Sequence, residues 1–110
     1  MSDPVTVIAQ YRVRPGVEQQ FLNVVADHWA TLHELGLVTD RPAEVFLGAE
    51  KGIDGPFVVE IFDWVDADAS ARAHTHPRVS GTWERMGPMC EERGGRPPLE
   101  FPTVRRVSPA

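Results

Sequence analysis

Val5, Val7, Ala9, Tyr11 and Val13 alternate with Thr6, Ile8, Gln10 and Arg12, the period of two expected of a half-buried β-strand. Pro15-Gly16 supplies the turn that ends it. From Val17 to Leu35 the period becomes helical: Phe21, Leu22, Val25, His28, Trp29, Leu32 and Leu35 recur at steps of three and four. Glu18, Gln19, Asn23, Asp27 and Glu34 fall largely on the opposite face, and Gly36 is placed to stop the helix. Alternation returns from Glu44 to Ala49 and, after the turn residues Gly52 to Pro56, an almost wholly apolar run from Phe57 to Trp64 reads as the third strand. Asp66 or Asp68 is positioned to cap a second helix. Pro77 interrupts that helix, because the residue before a proline avoids helical geometry, and it can open a new helical turn itself. Val79, Trp83, Met86 and Cys90 then form a further apolar stripe, Gly94-Gly95-Arg96-Pro97-Pro98 ends it, and Leu99 to Val107 reads as a last strand.

The order strand, helix, two strands, helix, strand predicts a single α+β domain over residues 1–110. It is the ferredoxin-like βαββαβ plan, a four-stranded antiparallel sheet with helices on one face. Phe57–Trp64 is apolar on both sides, with Phe57, Val59 and Ile61 on one and Val58, Phe62 and Trp64 on the other. A strand of that kind needs two covers. Helices provide one, and no strands remain to build the second. A second copy of the chain is the expected source, giving a homodimer in the form of a dimeric α/β barrel.

Composition narrows the partners. With 42% apolar residues in 110 the core is small and gains from a partner surface. The net charge of -5 argues against general nucleic-acid binding. Arg93, Arg96, Arg105 and Arg106 cluster near the end, interrupted by Pro and Glu, and make only a weak anion-site candidate. The lone Cys90 excludes an internal disulfide and fits a reducing compartment. No apolar run approaches the roughly 20 residues of a membrane span, and Met1-Ser2-Asp3-Pro4 lacks a signal-peptide pattern. A cytoplasmic protein without membrane or nucleic-acid partners is expected.

Several side chains are candidates for chemistry. Glu60 lies between Val58 and Phe62, on the face of Trp64, in the most apolar strand. A carboxylate there must be paired or hydrogen-bonded, so it is either a general base or ligand anchor, or it reaches an arginine or helix end. His28 sits on the apolar stripe of the first helix, flanked by Val25 and Leu32, and His33 reads as surface. His74 and His76 bracket Thr75 and diverge on a regular helix. A metal held by His28, His74 and Glu60 is conceivable, but no metal-ligand motif supports it, and no metal is expected. Trp29, Trp64 and Trp83 are either core or the walls of a flat apolar slot. Cys90 reads as a small core residue.

Three segments carry a family resemblance: the opening strand into Arg14-Pro15-Gly16, then Trp64-Val65-Asp66-Ala67-Asp68-Ala69 leading to Ala73-His74, and Pro98-Leu99-Glu100-Phe101. Together they resemble the antibiotic-biosynthesis-monooxygenase-like superfamily of dimeric α/β barrels. The resemblance implies a cofactor-independent oxygenase acting on a small aromatic or quinol-type molecule that reacts as its anion. His74, Glu60 and Trp64 would then be the catalytic candidates, and His28, Trp29, Tyr11, Phe62 and Trp83 the ligand-binding ones. Haem-degrading members of the superfamily pair a strand Trp with a helix His, and the ten-residue spacing from Trp64 to His74 is similar. That alternative makes haem the cofactor and His74 its axial ligand, but Ala9, Gln10 and Tyr11 stand where those members carry an Asn. A non-catalytic dimer that stores or senses an apolar ligand is the remaining alternative.

Overall fold

The structure, a computed structural model, describes residues 3–108. Strand β1 (Val5–Arg12) lies at the centre of an antiparallel sheet, paired along its length with β3 (Ile53–Trp64), which pairs in turn with β2 (Glu44–Glu50). The other side of β1 carries two short strands, β4 (Leu99–Glu100) and β5 (Thr103–Val104). The sheet order β2-β3-β1-β4 is the ferredoxin-like order, with the helices on one face.

The last strand departs from the expected outline, as does β3, which already begins at Ile53 within the expected turn Gly52 to Pro56, whereas the break at Pro77 falls as expected. The last strand is not continuous from Leu99 to Val107 but breaks at Phe101-Pro102. Pro98 and Pro102 have no N–H to donate. They contribute carbonyls instead, accepting from Arg12 N–H and Ile8 N–H at 2.9 Å each. The second helix is two helices, α2 (Ala69–His74) and α3 (Pro77–Met86). His76 is extended (φ -95°, ψ 123°) ahead of the proline, and its ring accepts the Arg78 N–H at 3.2 Å, so the break carries its own cap.

Helix α1 (Glu18–Glu34) buries Phe21, Val24, Val25, His28 and Leu32 against the sheet. It stops where Gly36 takes φ 72° and Leu37 N–H bonds to Leu32 C=O, a conformation that favours glycine. On the opposite face, no described helix or second sheet covers the middle of the sheet. Cross-strand register places Ile8 beside Ile61, and Val59 between Gln10 and Phe46, with Phe57 further along. Phe46 is 50% exposed.

Two arginines fasten the C-terminal arm to that uncovered face. Arg12, fully buried, forks onto Glu50 with two 3.0 Å bonds and donates to Glu100 (2.6 Å) and to Pro97 C=O (2.8 Å). Arg106 reaches Thr6 (3.1 Å) and Asp63 (3.3 Å). The basic cluster of the C-terminal region is therefore dispersed: Arg93 holds the carbonyls of Val13 and Pro56, and Arg96 lies 3.7 Å from Glu50. Among the described residues, no helix is long and apolar enough to cross a membrane.

Candidate functional site

Alternation along β3 puts Val58, Glu60, Phe62 and Trp64 on the helix side of the sheet, all buried. A cavity of about 360 Å³ lies between the end of β3 and the helices. Phe62 and Trp64, edge to face at 5.1 Å, form its sheet wall with Val5 and Val7 of β1. His28 comes from α1, Ser70 and His74 from α2, and Trp83 from α3. Leu99, Phe101 and Thr103 of the C-terminal arm complete it.

The polar groups are ordered by their donor types. Trp83 Nε1–H donates to His28 Nε2 at 3.0 Å. An indole only donates, so Nε2 is the acceptor and the imidazole hydrogen sits on Nδ1. Nδ1–H in turn donates to the Glu60 carboxylate, whose oxygens lie at 3.0 and 3.1 Å. Tyr11 O–H donates to the same carboxylate at 2.7 Å. Glu60, His28 and Tyr11 have almost no exposure. The carboxylate is thus satisfied by a histidine and a tyrosine, not by an arginine or a helix end.

Burial, followed by the charge and hydrogen bond of Glu60, pushes the Tyr11 hydroxyl well above its ordinary value of 10.0. Tyr11 is the chain's one tyrosine, so its ionisation reads without ambiguity. The folded protein should show no phenolate absorbance through pH 10, where an exposed tyrosine is half ionised. The sign follows from linkage: the unfolded chain releases this proton near pH 10 and the folded chain does not. Stability present below that pH is therefore lost as pH rises above it. A phenolate signal growing near pH 10 in the folded protein would contradict the buried bond to Glu60.

His74 is different. It is exposed, and its Nδ1–H donates to Ser70 C=O at 2.7 Å, leaving Nε2 as the ring's acceptor. Its ring meets Trp83 edge to face at 4.7 Å. Asp66, also in the wall, is held below the ordinary carboxylate value first by its hydrogen bond with Arg72.

Of the residues singled out in the sequence, Trp64, His74, His28, Phe62 and Trp83 line the cavity. Glu60 and Tyr11 sit behind His28 and reach the space only through it. Trp29, one position along α1 from His28, turns off the wall and stacks on His33 at 4.7 Å, where its buried Nε1–H has no partner. The arm residues Leu99 and Phe101 also line it, and nothing local in Pro98–Pro102 signals that role. Cys90 is buried away from the wall, its thiol pushed up to about 11 chiefly by burial.

Among the described residues, no three His, Cys, Asp or Glu side chains converge as a metal set. Two imidazoles, His28 and His74, face the cavity, and His74 Nε2 is the ring nitrogen not already hydrogen-bonded. The wall holds no Lys or Arg to meet the propionates of a haem, and it places the Asp66 carboxylate there instead. These residues do not fit haem.

No family model matches the chain, and no curated protein matches it. Solved structures do. SnoaB of Streptomyces nogalater, described as a cofactor-independent oxygenase, superimposes with a TM-score of 0.61 at 22% identity, covering 99% of this chain and 100% of its own. A protein of Caulobacter crescentus CB15, provisionally assigned as an antibiotic biosynthesis monooxygenase, gives 0.62 at 18% over 97% of this chain and 92% of its own. A dimeric ferredoxin-like protein of unknown function from Jannaschia sp. CCS1 gives 0.62 at 13% over 94% and 99%. Several of the structural neighbours thus carry the antibiotic biosynthesis monooxygenase or cofactor-independent oxygenase description, and what they share with this chain at these identities is the fold.

Proposed function

We propose that the protein binds a flat, hydroxylated aromatic molecule of quinol type in the cavity and oxygenates it without a cofactor. The observation that carries this reading is an aromatic-walled space of about 360 Å³ whose wall includes two imidazoles, His28 and His74. Such a space suits an apolar ring that must be oriented through one polar group. Phe62 and Trp64 hold the ring. The hydroxyl proton is taken either by His74 or by Glu60 acting through His28. Loss of that proton leaves a delocalised anion, which the apolar wall favours over a localised charge and which can pass one electron to dioxygen. The fold shared with SnoaB, described as a cofactor-independent oxygenase, supports the reading.

Oxygen uptake with 1,8-dihydroxyanthrone tests it. Trp64→Phe, which removes half of a wall ring, should lower kcat/KM about 10-fold, equivalent to ~1.4 kcal/mol of lost contact in the transition state. Tight binding of the anthrone with no oxygen consumption would replace catalysis with ligand storage or sensing.

We also infer that a second copy of the chain covers the bare face of the sheet around Ile8, Phe46, Val59 and Ile61, making a homodimer. The uncovered apolar face supports it, as does the dimeric fold neighbour from Jannaschia.

A further inference from the structure

Two groups in the cavity wall are hydrogen-bonded to each other. Trp83 Nε1–H, which cannot accept, meets His28 Nε2, which in this tautomer cannot donate, at 3.0 Å. A hydroxyl group carries the complement of both: a hydrogen for His28 and lone pairs for Trp83. We propose that the ligand hydroxyl inserts between Trp83 and His28, gives its proton to His28 Nε2, and keeps the Trp83 indole N–H on the resulting oxyanion. This inference rests on the ligand class proposed above and assigns the base left open there.

The step balances without another reactant. The ligand O–H bond breaks, its electron pair stays on oxygen, and an Nε2–H bond forms. The ligand gains a negative charge and the imidazole a positive one, so the site as a whole keeps the charge it had. Glu60, 3.0 and 3.1 Å from Nδ1, faces the new imidazolium with a carboxylate, the arrangement by which a buried acid holds a histidine's tautomer and stabilises its charged form. Tyr11 stays a donor to Glu60 and does not receive the proton. His74 has no comparable support, since it is solvent-exposed and its second nitrogen faces a neutral backbone carbonyl.

The geometry permits the insertion. Two hydrogen bonds of ~2.8 Å meeting at a tetrahedral oxygen set their donor and acceptor about 4.6 Å apart. One partner must therefore retreat by about 1.6 Å from the observed separation. His28 is fixed: it is 2% exposed, tied to Glu60 and packed edge to face on Phe62 at 5.7 Å. Trp83 is only partly buried, and the ring it meets is the exposed His74. The indole is the side that moves, outward and away from the core. Aimed at the oxygen that becomes charged, its N–H then does the work of an oxyanion-hole donor.

The test uses 4-nitrophenol, whose ionised and neutral forms differ in colour, with nitrobenzene as the probe lacking a hydroxyl. Wild-type protein should bind both and lower the apparent pKa of bound nitrophenol by about one unit or more. Glu60→Gln and Trp83→Phe should each remove most of that shift and weaken nitrophenolate binding ~10-fold more than they weaken nitrobenzene binding, which Glu60→Gln, behind the wall, should leave within about twofold. Measurable nitrobenzene binding shows that each variant has kept its cavity, and His74→Ala, although it removes part of the wall and weakens both probes together, should leave the pKa shift of bound nitrophenol in place. A shift that survives both Glu60→Gln and Trp83→Phe, or one abolished by His74→Ala, overturns the assignment. Failure of wild-type protein to bind either probe would overturn the ligand class itself.

Discussion

Replacing Glu60 with alanine should lower the free energy of unfolding by about 3–5 kcal/mol, the cost of breaking a buried, hydrogen-bonded polar cluster by removing its common partner. The carboxylate is the acceptor on which both Tyr11 and His28 depend. Alanine leaves a buried hydroxyl and a buried imidazole N–H with nothing to bond, each costing about 1–3 kcal/mol, and adds a small void. Against the 5–15 kcal/mol that holds an ordinary domain, that is a large fraction. Glu60→Gln preserves the shape and an acceptor for His28, so its cost should be nearer ~1 kcal/mol. Urea unfolding of the two variants beside wild type reads the difference. Equal and small losses for both would mean that Glu60 is not the centre of a bonded cluster, and its support of His28 would go with it.

Val59→Asp should separate the proposed dimer while leaving the monomer folded. Val59 lies in the middle of the uncovered face, paired with Gln10 on one side and Phe46 on the other, and in the single chain it is only partly buried. In a monomer the aspartate would therefore stay in water. In a dimer two such carboxylates would be driven against apolar neighbours, and an unpaired buried charge costs about 3–5 kcal/mol. The dimer dissociation constant should rise by at least ~100-fold. Sedimentation velocity at micromolar protein, with far-ultraviolet circular dichroism to confirm the fold, measures it. A wild-type chain that sediments as a monomer, or a variant that remains dimeric, would mean that something other than a second copy covers this face.

Legibility follows the range of the interactions. Helix α1 is readable because its stripe and its Gly36 stop are local, and the break at Pro77 is readable for the same reason. The bare face is readable too, because β3 carries apolar residues on both sides. Glu60 stands out as a carboxylate in the wrong place, but its partners lie 49 and 32 residues away, and no spacing rule points from one to the other. Arg12 is the sharpest case. Alternation places it with polar residues on the face away from the helices, yet it is wholly buried, because Glu50, Glu100 and Pro97 converge on it. The arm that supplies two of those partners looks like a strand in sequence. Prolines 98 and 102 turn it into a strap that hydrogen-bonds through its carbonyls and lays Leu99 and Phe101 on the cavity.

Helix α2 has six residues, no side-chain cap bond at Asp68, and only Ala69 and Ala73 buried. A helix so short does not hold itself together in water, and two alanines offer little packing to compensate. Segments of this kind unwind at a small fraction of the free energy needed to unfold the domain. Since α2 carries Ser70 and His74, its fraying uncovers the cavity without disturbing the sheet or α1. Amide protons of α2 should therefore exchange with solvent far faster than those of α1. A molecule passing in or out on that side would meet a wall that yields by the melting of a turn and a half of helix, an event orders of magnitude quicker than a domain movement.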